Sequence, residues 1–116
     1  MAGNLCHFEI PARNIEKAGQ FYSKVFGWKI SDSGFPGYSF FETSKPPHGG
    51  IEKREPFSNG VMLYIQVDEV TAAINNIKSA GGSIVKEKTE IPNIGWFGLF
   101  SDPDGNIIGI FQSKNV

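Results

Sequence analysis

Two short segments in the first half of the chain carry side chains that can bind a metal or transfer a proton. His7 and Glu9 alternate with apolar neighbours near the start, and His48 and Glu52 follow a pair of prolines. An imidazole next to a carboxylate can ligate a metal, act as a base or orient a ligand through hydrogen bonds. The alternative is a solvent-exposed strand face, so the placement of these residues in the fold decides their role.

Hydrophobic alternation predicts how the first strand is oriented. Within residues 5–11, Phe8 and Ile10 lie on one side and His7 and Glu9 on the other. An apolar stripe at helical spacing follows and predicts a helix that packs on this strand. We expect the aromatic members of the stripe in the core. The stripe consists of Ile15, Ala18, Phe21, Tyr22, Val25 and Phe26.

The same order of elements, a strand, a helix and three strands, occurs twice along the chain. Asn14 and Asp68 are the predicted N-caps of the two helices. Glycines close both helices, and Gly27 and Gly82 are 82 − 27 = 55 residues apart. Two copies of so long a unit indicate a duplicated half-domain and not a solenoid.

The duplication predicts one α+β domain over residues 1–116, with two βαβββ modules at about 1–55 and 60–116. Curving the two sheets toward each other gives a partly open, eight-stranded, β-barrel-like sheet with the helices outside and a central cleft. The residues that alternation turns toward the cleft are His7, Glu9, Met62, Tyr64 and Gln66. The residues expected beneath the helices are Phe8, Ile10, Leu63, Ile65 and Val67.

Aromatic side chains on the predicted strands are candidates for the wall of a ligand pocket. Tyr38, Phe40, Tyr64 and Trp96 form this set. Ligand pockets and subunit interfaces both favour aromatic residues, so packing between sheets or at a dimer interface is the alternative.

Composition excludes several classes of partner. The net charge is −1 and both signs are mixed along the chain, which gives no basic footprint for nucleic acid or an anionic membrane. The sequence has no apolar run long enough to span a bilayer and no visible signal peptide, so we expect a cytoplasmic protein. Cys6 is the single cysteine and cannot form an internal disulfide.

Six segments in this order and spacing resemble the vicinal-oxygen-chelate superfamily of glyoxalases, bleomycin-resistance proteins and ring-cleaving dioxygenases. The resemblance covers nearly the whole chain. The segments are His7-Phe8-Glu9-Ile10-Pro11, Phe21-Tyr22, Val25-Phe26-Gly27-Trp28, Val67-Asp68-Glu69-Val70, Ala80-Gly81-Gly82 and Asp102-Pro103-Asp104-Gly105-Asn106.

The resemblance implies a position for each ligand of a divalent metal such as Zn, Ni, Fe or Mn. Family members supply His, Glu or Gln from the first and last strand of each half. Those positions match His7, Met62 and Gly109, and they match Glu52 if residues 50–52 are superposed on 107–109. A thioether suits such a site poorly and glycine has no side chain, so only His7 and Glu52 remain as metal ligands.

Three functions follow from the resemblance. The leading one is a small-molecule-binding protein of the glyoxalase and bleomycin-resistance type, which orients a compact organic ligand with His7 and Glu52. The second is a metal-dependent lyase, isomerase or dioxygenase acting on vicinal oxygens, with further metal ligands from His48, water or the other subunit of a dimer. The third is a ligand-free dimeric interaction module, since the family implies a homodimer. Whether the chain is an enzyme stays open at this point.

Overall fold

A computed structural model describes residues 3–56 and 60–114 of the chain. The chain divides into two compact units, one formed by His7–Met62 and the other by Met1–Cys6 with Leu63–Val116. The order of elements is βαβββ twice over, so the predicted α+β class with two such modules is confirmed. The predicted linker between the modules includes residues 57–59, which lie outside the described part.

The His7–Met62 unit packs one helix on one face of a four-stranded sheet. Its strand order is β2-β3-β4-β1, in which β1 and β4 are parallel and the other pairs antiparallel. Its elements are β1 (Leu5–Ala12), α1 (Ile15–Phe26), β2 (Lys29–Asp32), β3 (Tyr38–Glu42) and β4 (His48–Lys53).

The predicted caps of α1 are confirmed. The Asn14 side chain accepts a hydrogen bond from the Lys17 backbone N–H at 3.0 Å. Gly27 ends the helix in the left-handed conformation, with φ of 74°, and donates its own N–H to the Ser23 carbonyl. These contacts satisfy backbone groups that the helix ends leave unpaired.

The core of this unit lies between α1 and the sheet. Ala12, Phe41 and Ile51 are buried there, and Phe8 and Ile10 pack against them. The face predicted for Phe8 and Ile10 is therefore confirmed. Because successive strand residues point to opposite faces, their neighbours on β1 lie on the face away from α1.

The aromatic residues of α1 depart from the prediction. Phe21 and Phe26 are 56% and 61% exposed, so they are not core residues. The helix contacts the buried cluster through Ile15 and Ala18, which lie near its start. Only the first half of the apolar stripe therefore reaches the core.

The second unit repeats this architecture in the strand order β5-β8-β7-β6, with β5 parallel to β8. Its buried core contains Val70, Ile74 and Ile110. Ile65 and Val67 pack against this core as predicted, whereas Leu63 is exposed. The elements are β5 (Met62–Gln66), α2 (Val70–Ser79), β6 (Ser83–Ile91), β7 (Gly95–Ser101) and β8 (Ile107–Ser113).

Neither helix among residues 3–56 and 60–114 has the length and apolar character needed to cross a membrane. The cytoplasmic location and the homodimer stay predictions.

The N-cap of α2 is Glu69 and not Asp68. The Glu69 carboxylate accepts hydrogen bonds from the backbone N–H groups of Thr71 and Ala72, each at 3.0 Å. These two hydrogen bonds hold the pKa of Glu69 below its ordinary value. The one-residue error arises because helix boundaries from sequence are uncertain by a residue or two, and both residues are acidic.

We expect Glu69→Ala to lower the melting temperature by a few degrees, because it removes the partners of two helix N–H groups. Asp68→Ala is the matched control and should leave the melting temperature unchanged. Thermal unfolding followed by circular dichroism measures both. Equal losses in the two variants would contradict the assignment of the cap.

Candidate ligand-binding site

The ring of Tyr38 crosses strand β4 to reach His7. Strand β4 lies between β3 and β1, so a side chain that joins the outer two must pass over it. The Tyr38 Oη lies 2.7 Å from His7 Nε2, within hydrogen-bonding distance. Phe40 packs edge-on against the Tyr38 ring, with centroids 5.6 Å apart. The sheet thus brings His7, Tyr38 and Phe40 together on its helix-distant face, which is the face that alternation predicts for His7.

Gly50 provides the space for this crossing. A Cβ added at Gly50 would lie 2.1 Å from the Tyr38 Oη. The backbone φ of Gly50 is not positive, so glycine is needed here for room and not for a left-handed conformation. Any side chain at position 50 would displace the ring and its hydrogen bond to His7.

His7 is neutral at physiological pH. Burial lowers the pKa of His7 to about 4, because the surroundings solvate the imidazolium poorly. A neutral imidazole has one donor and one acceptor nitrogen. The bond can therefore run from the Tyr38 hydroxyl to Nε2, or from Nε2–H to the Tyr38 oxygen.

The other two sequence candidates on β4 have separate partners. Arg54 Nε donates to the Glu52 carboxylate at 2.7 Å, and the Glu52 side chain is 40% exposed. His48, the first residue of β4, accepts the Thr43 backbone N–H at Nδ1, at 3.0 Å. Glu52 is thus held in an ion pair near the surface, and His48 is held by the preceding loop.

The strand registers change the expected ligand positions. Parallel pairing aligns Glu9 with Gly50 in one unit and Tyr64 with Gly109 in the other. Glu9 and Tyr64 are 64 − 9 = 55 residues apart, which is the repeat offset. The counterpart of Gly109 is therefore Gly50, and the alignment that placed Glu52 there is wrong by two residues. The repeat offset grows to 109 − 50 = 59 at these strands because the intervening loops differ in length.

The residues present do not fit the divalent metal that the family implies. The ring of Tyr64 covers Gly109, where an added Cβ would lie 2.3 Å from Tyr64 Cδ2. Both last-strand positions thus lack a donor, and an aromatic ring fills the space of each. Met62, at the counterpart of His7, is buried and offers only a thioether. Across residues 3–56 and 60–114, no three His, Cys, Asp or Glu side chains are grouped closely enough to hold a metal.

The predicted ligand-binding residues Met62 and Tyr64 are buried. Met62 and Tyr64 are only 4% and 8% exposed. Trp96 packs against the core beneath α2, and the ammonium groups of Lys88 and Lys114 lie 5.1 and 5.3 Å from its ring centre. Trp96 therefore does not belong with Tyr64, and its assignment by residue type alone is wrong.

Sequence reasoning missed Phe97 and Leu99, which alternate with the helix-facing residues of β7. Gly98 faces α2, since a Cβ there would lie 3.7 Å from both Val70 and Ile110. Its two neighbours consequently point to the opposite face of the sheet. Strand alternation through Gly98 was the signal that could have found them.

Comparison with known proteins agrees with this fold. The chain belongs to the Glyoxalase/Bleomycin resistance protein/Dioxygenase superfamily, whose sequence profile matches residues 4–110. It is similar to a glyoxylase-like domain-containing protein of Didymella fabae, with 31% identity over 90% of this chain and 89% of that protein. It spans only 41% and 45% of the mycobacterial and Streptomyces peucetius relatives that it also matches.

Two solved structures share the fold at low sequence identity. The Mn(II)-bound glyoxalase from Novosphingobium aromaticivorans is 15% identical, with a TM-score of 0.71 over 96% of this chain and 39% of that one. Methylmalonyl-CoA epimerase from Mycobacterium tuberculosis is also 15% identical, with a TM-score of 0.71 over 96% of this chain and 87% of that one.

We expect the His7 imidazole to take up its proton near pH 4 in the folded protein and near pH 6.5 in the unfolded chain. The unfolded state then binds more protons between these values, so the free energy of unfolding should fall as the pH drops from 6.5 toward 4. The loss should reach at most ~3 kcal/mol and level off below pH 4. Imidazole NMR titration and urea unfolding at several pH values measure the two effects.

His7→Gln should remove this part of the pH dependence. The difference between the two proteins then separates the contribution of His7 from that of nearby carboxylates. His48→Gln is the matched control and should retain it. An imidazole of His7 that titrates near pH 6.5 in the folded protein would show that it is not desolvated.

We expect Gly50→Ala to break the His7–Tyr38 hydrogen bond and to destabilise the protein by ~1–3 kcal/mol through overpacking. In a Tyr38→Ala background the same change should cost much less, because the ring that it meets is gone. Chemical denaturation of the four proteins in this cycle measures the coupling. Additive effects would mean that the ring does not lie over Gly50.

Proposed function

We propose that the chain binds a compact organic ligand without a metal, on the helix-distant face of the His7–Met62 unit. The hydrogen-bonded pair of His7 and Tyr38 over Gly50 carries this proposal, because it is a partly buried polar centre beside the ring of Phe40. Such a centre can fix the orientation of a ligand, because a small number of polar groups usually orients the ligand in a binding site.

The aromatic surroundings support an apolar or flat ligand body. Tyr38 and Phe40 present adjoining rings on this face, at a centroid separation of 5.6 Å. Aromatic side chains offer large contact areas at low cost in conformational entropy. The body of the ligand would pack on these rings, while one of its polar atoms meets the His7–Tyr38 pair.

The metal-dependent alternative has less support from the donor set. The structurally related glyoxalase of N. aromaticivorans is Mn(II)-bound, so this fold can accommodate a metal. In the present chain, Gly50 and Gly109 supply no donor, and the Glu52 carboxylate is engaged by Arg54. A lyase, isomerase or dioxygenase mechanism that requires a metal therefore lacks its ligands among the described residues.

A titration of the EDTA-treated protein with a set of compact aromatic compounds, followed by NMR, tests the proposal. We expect amide shifts to map to the segments around His7 and Tyr38, and affinities that do not change when Mn²⁺, Ni²⁺ or Zn²⁺ is added. Phe40→Ala should weaken binding several-fold. Phe21→Ala removes an exposed ring from α1 and should leave binding unchanged.

Calorimetric titration with each metal alone completes the test. Stoichiometric binding at micromolar or tighter affinity, or ligand binding only in the presence of metal, would contradict a metal-independent site.

A further inference from the structure

We infer that the second unit has a binding surface of its own, which takes a compact aromatic carboxylate on the face of its sheet away from α2. Lys86 is the residue that contacts the carboxylate, and Phe97, Leu99 and Phe111 form the apolar surface beside it. The His7–Tyr38 pair belongs to the other unit, so this inference does not depend on the proposed function.

Strand pairing places Lys86 at the end of a row of residues that crosses the whole sheet of this unit. Antiparallel pairing sets Lys86 opposite Leu99 and Leu99 opposite Gly109. Parallel pairing sets Gly109 beside Tyr64. Side chains at directly paired positions share a face of the sheet. Lys86 therefore lies on the face away from α2, where alternation through Gly98 also places Leu99.

The apolar part of this face lies in the neighbouring row. Phe97 and Phe111 are directly opposite each other on β7 and β8. Both rings and the Leu99 side chain are half-buried, and none of them belongs to the buried cluster beneath α2. Together they offer an accessible apolar surface on which a flat ligand body can pack.

The ammonium group of Lys86 adjoins this surface. It lies 5.9 Å from the ring centre of Phe97, and the lysine side chain is exposed. No carboxylate among residues 3–56 and 60–114 forms an ion pair with it. The Lys86 charge is thus available to an anion that rests against the ring of Phe97.

The other lysines near this sheet have carboxylate partners. Lys88 pairs with Glu69, and Lys114 pairs with Glu90. Both also lie over the ring of Trp96, which packs beneath α2 and not on the opposite face.

Within residues 60–114, Lys86 is the only charged residue that strand pairing places on the face away from α2. Glu87 is the nearest carboxylate along the chain, and it lies in the irregular stretch of β6 between Lys86 and Thr89, where the register shifts. One lysine compensates one negative charge, so this surface favours a carboxylate over a phosphate ester, which carries nearly two.

The ring and the charge of the ligand act together. An exposed ammonium by itself binds anions weakly, because water and salt compete for it. A ligand ring that packs on Phe97 and Phe111 removes apolar surface from water and holds its carboxylate beside Lys86. An aromatic ring without the charge keeps only the first contribution.

Benzoate and benzamide test the inference, because they share one ring and differ in charge. We expect benzoate to shift the resonances of Phe97, Leu99 and Phe111 at pH 7. Its dissociation constant should be roughly fivefold lower than that of benzamide. NMR titration of the full chain labelled with ¹⁵N and ¹³C measures both affinities.

Lys86→Gln removes the charge from an exposed side chain, so the fold should be preserved. We expect it to weaken benzoate binding roughly fivefold and to leave benzamide binding unchanged. Lys86→Arg should keep the preference for benzoate. Lys88→Gln is the matched control, since Lys88 lies on the same strand but contacts Trp96 and Glu69, and it should alter neither affinity. Glu87→Gln should not weaken benzoate binding.

Equal affinities of the two probes for the unmodified protein, or unchanged benzoate binding by Lys86→Gln, would overturn the inference. Benzoate shifts confined to the segments around His7 and Tyr38 would also overturn it, and they would leave the proposed function intact. Benzoate bound beside Lys86, with no compound bound at His7, would support the inference and contradict only the proposed function.

Discussion

The hydrogen bond between Tyr38 and His7 depends on the absence of a side chain at residue 50. Neighbouring strands lie about 4.8 Å apart, so a side chain on β3 must span two strand spacings to reach β1. A tyrosine is long enough only if its ring lies flat across the strand between them. Gly50 is the residue that permits this, and a Cβ there would lie 2.1 Å from the Tyr38 oxygen.

The core on the other face fixes Gly50 in this position. Gly49 faces the helix, where an added Cβ would lie 2.5 Å from the ring of Phe41. Ile51 is fully buried in the same core. Consecutive glycines thus admit one aromatic ring from β3 on each face of the sheet, Phe41 into the core and Tyr38 over the site. A slip of one residue would exchange the two faces, so burial of Ile51 also holds the site in register.

The alternation of residues was sufficient to predict which side chains of β1 face away from α1, because that pattern is local. Three other features depend on information that is not local. The register of Glu52 depended on loop lengths, which strand patterns do not determine. Trp96 was assigned by its residue type, although its strand turns it toward α2. The hydroxyl of Tyr38 meets His7 across an intervening strand, and no spacing in the sequence shows that contact.

The two halves of the duplication carry different side chains at equivalent positions. Each last strand carries glycine under a tyrosine ring, but the counterpart of His7 in the second half is Met62, since 62 − 7 = 55. The first half therefore places an imidazole beside its tyrosine, and the second half has a thioether at the equivalent position. Burial lowers the pKa of His7 and favours the neutral imidazole. The absence of a side chain at Gly50 thus explains the position of the Tyr38 hydroxyl.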